Sequence, residues 1–100
     1  MAEKLVRDLL SDRIPAAELR IEENPESLRQ MAIRKLHEEF GELADTDYSD
    51  VNEFADVLEV VLHIAKQGGI TEEEVFSARD KKAAEKGRFE RGLVWSGPQN

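Results

Sequence analysis

The chain contains no cysteine. That excludes a disulfide framework and a structural thiolate–zinc site. No apolar run approaches the ~20 residues that span a bilayer. The opening stretch, Met1-Ala2-Glu3-Lys4-Leu5-Val6-Arg7-Asp8, lacks the apolar core of a secretory signal. The expected setting is therefore the cytoplasm, with no membrane partner. Positive charge is scarce as well: 14 Lys and Arg stand against 22 Asp and Glu, leaving a net charge of −8. A field of that sign argues against a general nucleic-acid binder, and an anionic nucleotide would need local basic groups or a metal to overcome it. No internal repeat, low-complexity tract or long linker is visible.

What the chain does have is helix. One hundred residues with 40 % hydrophobic content make one small domain spanning residues 1–100, whose limited core oligomerisation would enlarge. Asn24-Pro25 reads as an N-cap followed by a helix-starting proline, with Glu26 at the positive end of the dipole. Leu28, Met31, Ala32, Leu36, Phe40 and Leu43 follow at helical spacing, and the helix should fade near residues 44–47. Gly41 inside it either admits a close neighbour or is a tolerated surface glycine. A second helix runs from about Asp50 to Gln67 and stops at Gly68-Gly69. Val51, Phe54, Ala55, Leu58, Val61, Leu62 and Ala65 form one stripe, while Val57, Val60 and Ile64 lie off it. A helix apolar on so many sides is buried on several faces, which implies a homodimer or homotetramer. A third helix starts at Thr71 with a capping box to Glu74, turns basic at Arg79, Lys81, Lys82 and Lys86, and ends at Gly87. Residues 1–10 read as a helical turn or an ordered arm, and 16–23 as a short helix or an extended segment. The tail from Arg88 to Trp95 reads as an extended stretch packed through its apolar residues, with fraying from Ser96 to Asn100. The fold class is all-α.

Two acidic clusters carry the chemistry: Glu38-Glu39-Phe40-Gly41-Glu42 and Glu53-Phe54-Ala55-Asp56. Residues three apart share a helix face, so Glu39 pairs with Glu42 and Glu53 with Asp56. Helices packed side by side would bring up to four carboxylates together. Such a group is repulsive unless a hard cation joins it, and all-oxygen ligands suit Mg²⁺, Mn²⁺ or Ca²⁺. Carboxylate-held Mg²⁺ commonly awaits phosphate oxygens. The other reading is a solvated acidic face in an acidic protein, with Glu53 engaged in a capping box to Asp50.

The same clusters resemble the EExxE…ExxD signature of MazG-like nucleotide pyrophosphohydrolases. Lys4-Leu5-Val6-Arg7-Asp8, the stretch from Glu53 to Val61, and Glu85-Lys86-Gly87-Arg88-Phe89-Glu90-Arg91-Gly92 are similar to the phosphoribosyl-ATP-pyrophosphohydrolase-like branch of that superfamily. The resemblance runs from Lys4 to about Trp95. The gap between the acidic motifs, Leu43 to Asn52, is slightly short for the family. The resemblance implies a MazG-like all-α bundle completed by oligomerisation, and an Mg²⁺-dependent enzyme, with Mn²⁺ a possible substitute. Its substrate would be a nucleoside triphosphate, often non-standard, cut between the α and β phosphates to a monophosphate and pyrophosphate. Carried onto this chain, Glu39, Glu42, Glu53 and Asp56 would be the metal ligands. Glu38, or a ligand carboxylate such as Glu39, would orient or deprotonate the attacking water. The alternative is a non-catalytic helical module that binds a nucleotide or a partner.

Cations must meet the outer charge of a triphosphate. Lys4 and Arg7 belong to the family-like N-terminal motif, and Lys82 with Arg88 is the preferred pair from the late basic cluster. For any single one of them, a solvated or helix-capping cation is the more common role. His63, on an apolar stretch, reads as a buried structural or interface histidine rather than a ligand. His37 carries no clear signal. Phe89 and Trp95 read as packing anchors of the tail, with base stacking the other option.

Overall fold

Local chemistry accounts for each helix boundary in the computed structural model, which describes residues 3–98. The helix α1 spans Pro25–Asp45, where the Asn24 side chain accepts from the Ser27 N–H and Pro25 opens the first turn. Helix α2 spans Val51–Gln67 and α3 spans Glu72–Lys86. Thr71 and Glu74 form the reciprocal capping box that the sequence leads one to expect. Asp50 caps α2, but its carboxylate accepts from the N–H of Asn52 rather than from that of Glu53. The expected Asp50–Glu53 capping box is therefore not the arrangement found. Among the described residues there is no strand, and the remaining regular structure is two 3₁₀ turns, Asp8–Asp12 and Ala16–Glu18.

The α1–α2 pair is the body of the molecule, and α3 leans on α2. The five residues between α1 and α2 force the two helices to run antiparallel. Glu39, late in α1, accordingly meets Glu53 and Asp56, early in α2. Leu28, early in α1, lines the same cavity as Gln67 at the end of α2. The stretch before α1 is an arm laid beside this hairpin. Arg20 grips both carboxylate oxygens of Glu3 at 2.7 and 2.8 Å. It also reaches Glu22 at 3.3 Å, and Glu22 accepts from the Ser27 hydroxyl at 2.6 Å. The arm is thus tied to the start of α1, which places Lys4 and Arg7 over the helix pair.

The core of the single chain is thin. Among the described residues, its buried hydrophobic side chains are Met31, Ala32 and Leu43. The face of α2 that meets α1 is not the long stripe. Val57, Val60 and Ile64 are half-buried there, whereas Val51, Phe54, Leu58 and Val61 are exposed on the other side. The tail does not pack either: Phe89 is 99 % and Trp95 88 % exposed, so their expected role as anchors is not realised within one chain. Of its expected frayed end, residues 99 and 100 lie outside the described residues. The accessible surface is 8885 Å², against about 5,800 Å² for a compact monomer of this mass. The radius of gyration is 17.8 Å, against about 13 Å for a compact chain of this length. No helix among the described residues is long and apolar enough to cross a membrane.

Candidate metal centre and adjoining cavity

The two acidic motifs do converge. Glu39, Glu53 and Asp56 each bring one carboxylate oxygen to within 4.8 Å of the others. Glu39 is 5 % exposed, the one charged side chain buried among the described residues. Helical spacing puts Glu53 and Asp56 on one face of α2, and the hairpin turns that face toward Glu39. Glu42 stands at the edge of the group: it is exposed, and its carboxyl is near enough to that of Glu39 to raise it. Of the four expected ligands, three are thus clustered and the fourth is their neighbour.

The electrostatics of the group are those of a site short of positive charge. Burial pushes Glu39 above the ordinary carboxylate value, and the neighbouring Glu42 adds to this, outweighing the opposing Lys35. Glu53 is raised too, first by desolvation and then by the charges of Asp56, Glu39 and Asp50. One oxygen of Glu39 and one of Glu53 are shut off from solvent with no hydrogen-bond partner. Buried acceptors without donors are costly, and a hard cation would satisfy both. The donor set is all oxygen, which fits Mg²⁺, Mn²⁺ or Ca²⁺.

Cations rim the group. Arg7 donates to Asp56 at 2.6 Å, and Lys4 reaches Glu38 at 3.5 Å. Lys35 bridges Glu38 at 3.6 Å and Glu39 at 3.3 Å. Glu38 therefore lies beside the cluster, neutralised by two lysines, rather than inside it. Sequence reasoning passed over Lys35, although a lysine four residues before Glu39 on a helix must share its face. Lys82 and Arg88 are exposed, and neither lines the cavity beside the cluster.

That cavity opens between the arm and the helix pair, with a volume of 460 Å³. Arg7, Lys35, Glu39 and Asp56 line one end of it. His63 also lines it and is exposed, so the expectation of a buried structural histidine does not hold for the single chain. Gly41 has nothing within 4 Å of where a Cβ would stand, which fits the surface-glycine reading. No family model, curated protein or solved structure matches the chain.

Proposed function

We propose that the chain is an Mg²⁺-dependent nucleoside triphosphate pyrophosphohydrolase, MazG-like in its bundle, acting in the cytoplasm as a homodimer or homotetramer. The observation that carries this reading is the convergence of Glu39, Glu53 and Asp56 on two solvent-excluded, unpartnered carboxylate oxygens at one end of a cavity. The fit of that donor set to a hard divalent ion supports Mg²⁺ or Mn²⁺. When bound, such an ion supplies neutralisation of phosphate charge and a more acidic water.

The chain's own residues do the rest. Glu39, Glu53 and Asp56, with Glu42 at the margin, would hold the ion. Glu38 takes the proton of the attacking water, its charge balanced by Lys4 and Lys35. The water oxygen bonds to the α-phosphorus, and the bond from that phosphorus to the bridging oxygen breaks. A monophosphate and pyrophosphate leave. With Asp56 engaged as a metal ligand, Arg7 would be free to reach the phosphate oxygens, beside Lys35 and Lys4. Lys82 and Arg88 take no part in this scheme within one chain. The oligomer is supported by the surface that one chain leaves open, about 3,100 Å² beyond a compact monomer. A standard interface needs about 800 Å² per partner.

The test is pyrophosphate release from a panel of canonical and modified nucleoside triphosphates, with Mg²⁺ and with chelator, for wild type and Glu39→Ala. The expected result is metal-dependent release that the variant loses while its helical content stays unchanged. The Arg7–Asp56 pair favours a second reading, binding without turnover, because it fills a ligand carboxylate. Nucleotide-induced stabilisation with no release from any triphosphate would establish that reading instead.

A further inference from the structure

Charge and apolar surface are sorted along this chain in the same way. Residues 38–59 carry nine acidic side chains and no basic one, while residues 79–91 carry six basic side chains against three acidic. The exposed stripe Val51, Phe54, Leu58 and Val61 overlaps the end of the acidic stretch. The exposed apolar tail, Phe89, Leu93, Val94 and Trp95, overlaps the end of the basic one. Neither half meets the other within one chain. Among the described residues, the ion pairs of the acidic stretch go to Lys4, Arg7 and Lys35, and the one ion pair in the basic stretch joins the neighbours Arg79 and Asp80.

The path of α3 explains the separation. It half-buries Val75, Phe76 and Ala83 and leaves its other side chains exposed. The molecule is 62 Å long, twice the roughly 31 Å that the 21 residues of α1 occupy. The tail is thus held away from the stripe of its own chain. The two apolar surfaces nevertheless match in length. Val51 to Val61 spans about 15 Å along α2. In the tail, the Gly92 N–H bonds to the Phe89 carbonyl, with Gly92 at φ 64°, and such a turn brings its ends within about 7 Å. The three steps from Gly92 to Trp95 add up to about 10 Å. Their size suits an interface too. An aromatic side chain buries about 150–250 Å², so Phe89 and Trp95 together contribute about 300–500 Å². A two-fold pair makes the contact twice, each copy burying both its tail and its stripe, which brings it to the scale of about 800 Å² per partner in a standard interface.

We propose that residues 89–95 of one copy lie across the α2 stripe of a second copy, with Arg88 and Arg91 against the second copy's acidic stretch, each chain giving and receiving a tail. The proposal rests on the oligomer reading above and not on the catalytic one. The occupant is a second copy because both complementary surfaces are carried by this chain and neither is used within it.

The chain has one tryptophan and no cysteine, so Trp95 reports on the tail directly and introduced thiols are unique. Acrylamide quenching of Trp95 in the unmodified chain, followed through a dilution series alongside sedimentation, should be several-fold weaker in the assembled protein than in separated chains, with emission shifted to the blue. Leu58→Cys chains mixed with Leu93→Cys chains of different tag mass should give, with a short bis-maleimide, a covalent pair containing one of each. An oligomer in which Trp95 stays as quenchable as in separated chains, or a mixture yielding only like-with-like pairs, would overturn tail docking and leave the oligomer standing. A chain carrying both thiols that links only within itself would place the tail on its own stripe and overturn the exchange. A protein that sediments as one chain at every concentration would remove the oligomer reading along with the proposal.

Discussion

Glu39 and Glu53 are raised because burial and neighbouring carboxylates disfavour their charged forms, and this has a sign that can be tested. A carboxyl whose folded pKa lies above its unfolded value binds more protons in the folded state, so its contribution to stability falls as pH rises between the two values. Glu53→Gln, which removes the charge and keeps the shape, should therefore raise the melting temperature of the metal-free protein at pH 7.5. The gain should shrink as pH falls toward the ordinary carboxylate value of 4.5, as wild-type Glu53 takes up its proton. Thermal melts of both proteins between pH 4.5 and 8 check this. A melting temperature for Glu53→Gln below wild type at pH 7.5 would mean that the carboxylate is stabilised by something other than a missing cation. Adding millimolar Mg²⁺ should reverse the order, because only wild type has the full ligand set. A second expectation concerns Arg7, whose side chain is 57 % exposed and paired with Asp56. An exposed ion pair is worth up to about 1 kcal/mol. Arg7→Gln should accordingly tighten Mg²⁺ binding by up to about fivefold in calorimetry, while raising KM for any triphosphate that is turned over.

The two helix ends that flank α2 use one motif with different residues. After α2, Gly69 sits at φ 83°, its N–H bonds to the Lys66 carbonyl, and that of Ile70 to the Ala65 carbonyl. After α1, Asp47 takes the same place at φ 55°, with its N–H on Ala44 and that of Tyr48 on Leu43. This is the left-handed helix stop that glycine accommodates best. At Asp47 a Cβ is held in a conformation that costs about 1 kcal/mol, and Tyr48, at φ 57°, continues it. Asp47→Gly should leave the acidic cluster in register and stabilise the chain by up to about 1 kcal/mol, a rise of roughly 4–8 °C for a domain of this size. A loss of stability would show that the Asp47 side chain contributes more than its backbone strain removes. The Gly68-Gly69 stop was readable as sequence because glycine announces it. The stop at Asp47 was readable only as a fading helix, since aspartate is common in turns of many kinds. The arm was ambiguous for a related reason: residues 3–22 have no sustained period, and ion pairs from Arg20 to Glu3 and Glu22 hold them.

The single chain exposes more surface than a compact molecule of its mass, and the stripe Val51, Phe54, Leu58 and Val61 is exposed along the first three turns of α2. Patches of that extent on small domains mark association surfaces. Sedimentation equilibrium should give two or four times the 11.4 kDa of one chain. Phe54→Glu combined with Leu58→Glu should shift it to one, with a fall in melting temperature that becomes independent of protein concentration. Neither residue belongs to the acidic group, so metal binding by the separated chains would show how much of the centre one copy assembles. A wild-type protein that sediments as one chain would remove the stripe as an interface.

The sequence by itself determined the helices, their caps at Asn24, Asp50 and Thr71, and the pairs Glu39/Glu42 and Glu53/Asp56, because helix periodicity and capping are local and act over three or four residues. Which carboxylates meet was decided only by the tertiary structure. The antiparallel hairpin turns Glu53 and Asp56 onto Glu39, leaves Glu42 at the edge, and hands Glu38 to Lys4 and Lys35. It was likewise the packing of α1 on the Val57–Val60–Ile64 side of α2 that left the longer stripe exposed and joined Gln67 to the same cavity as Asp56. Those choices depend on how two amphipathic surfaces rotate against each other, and a single strand of letters with two apolar faces on one helix does not say which face is used first.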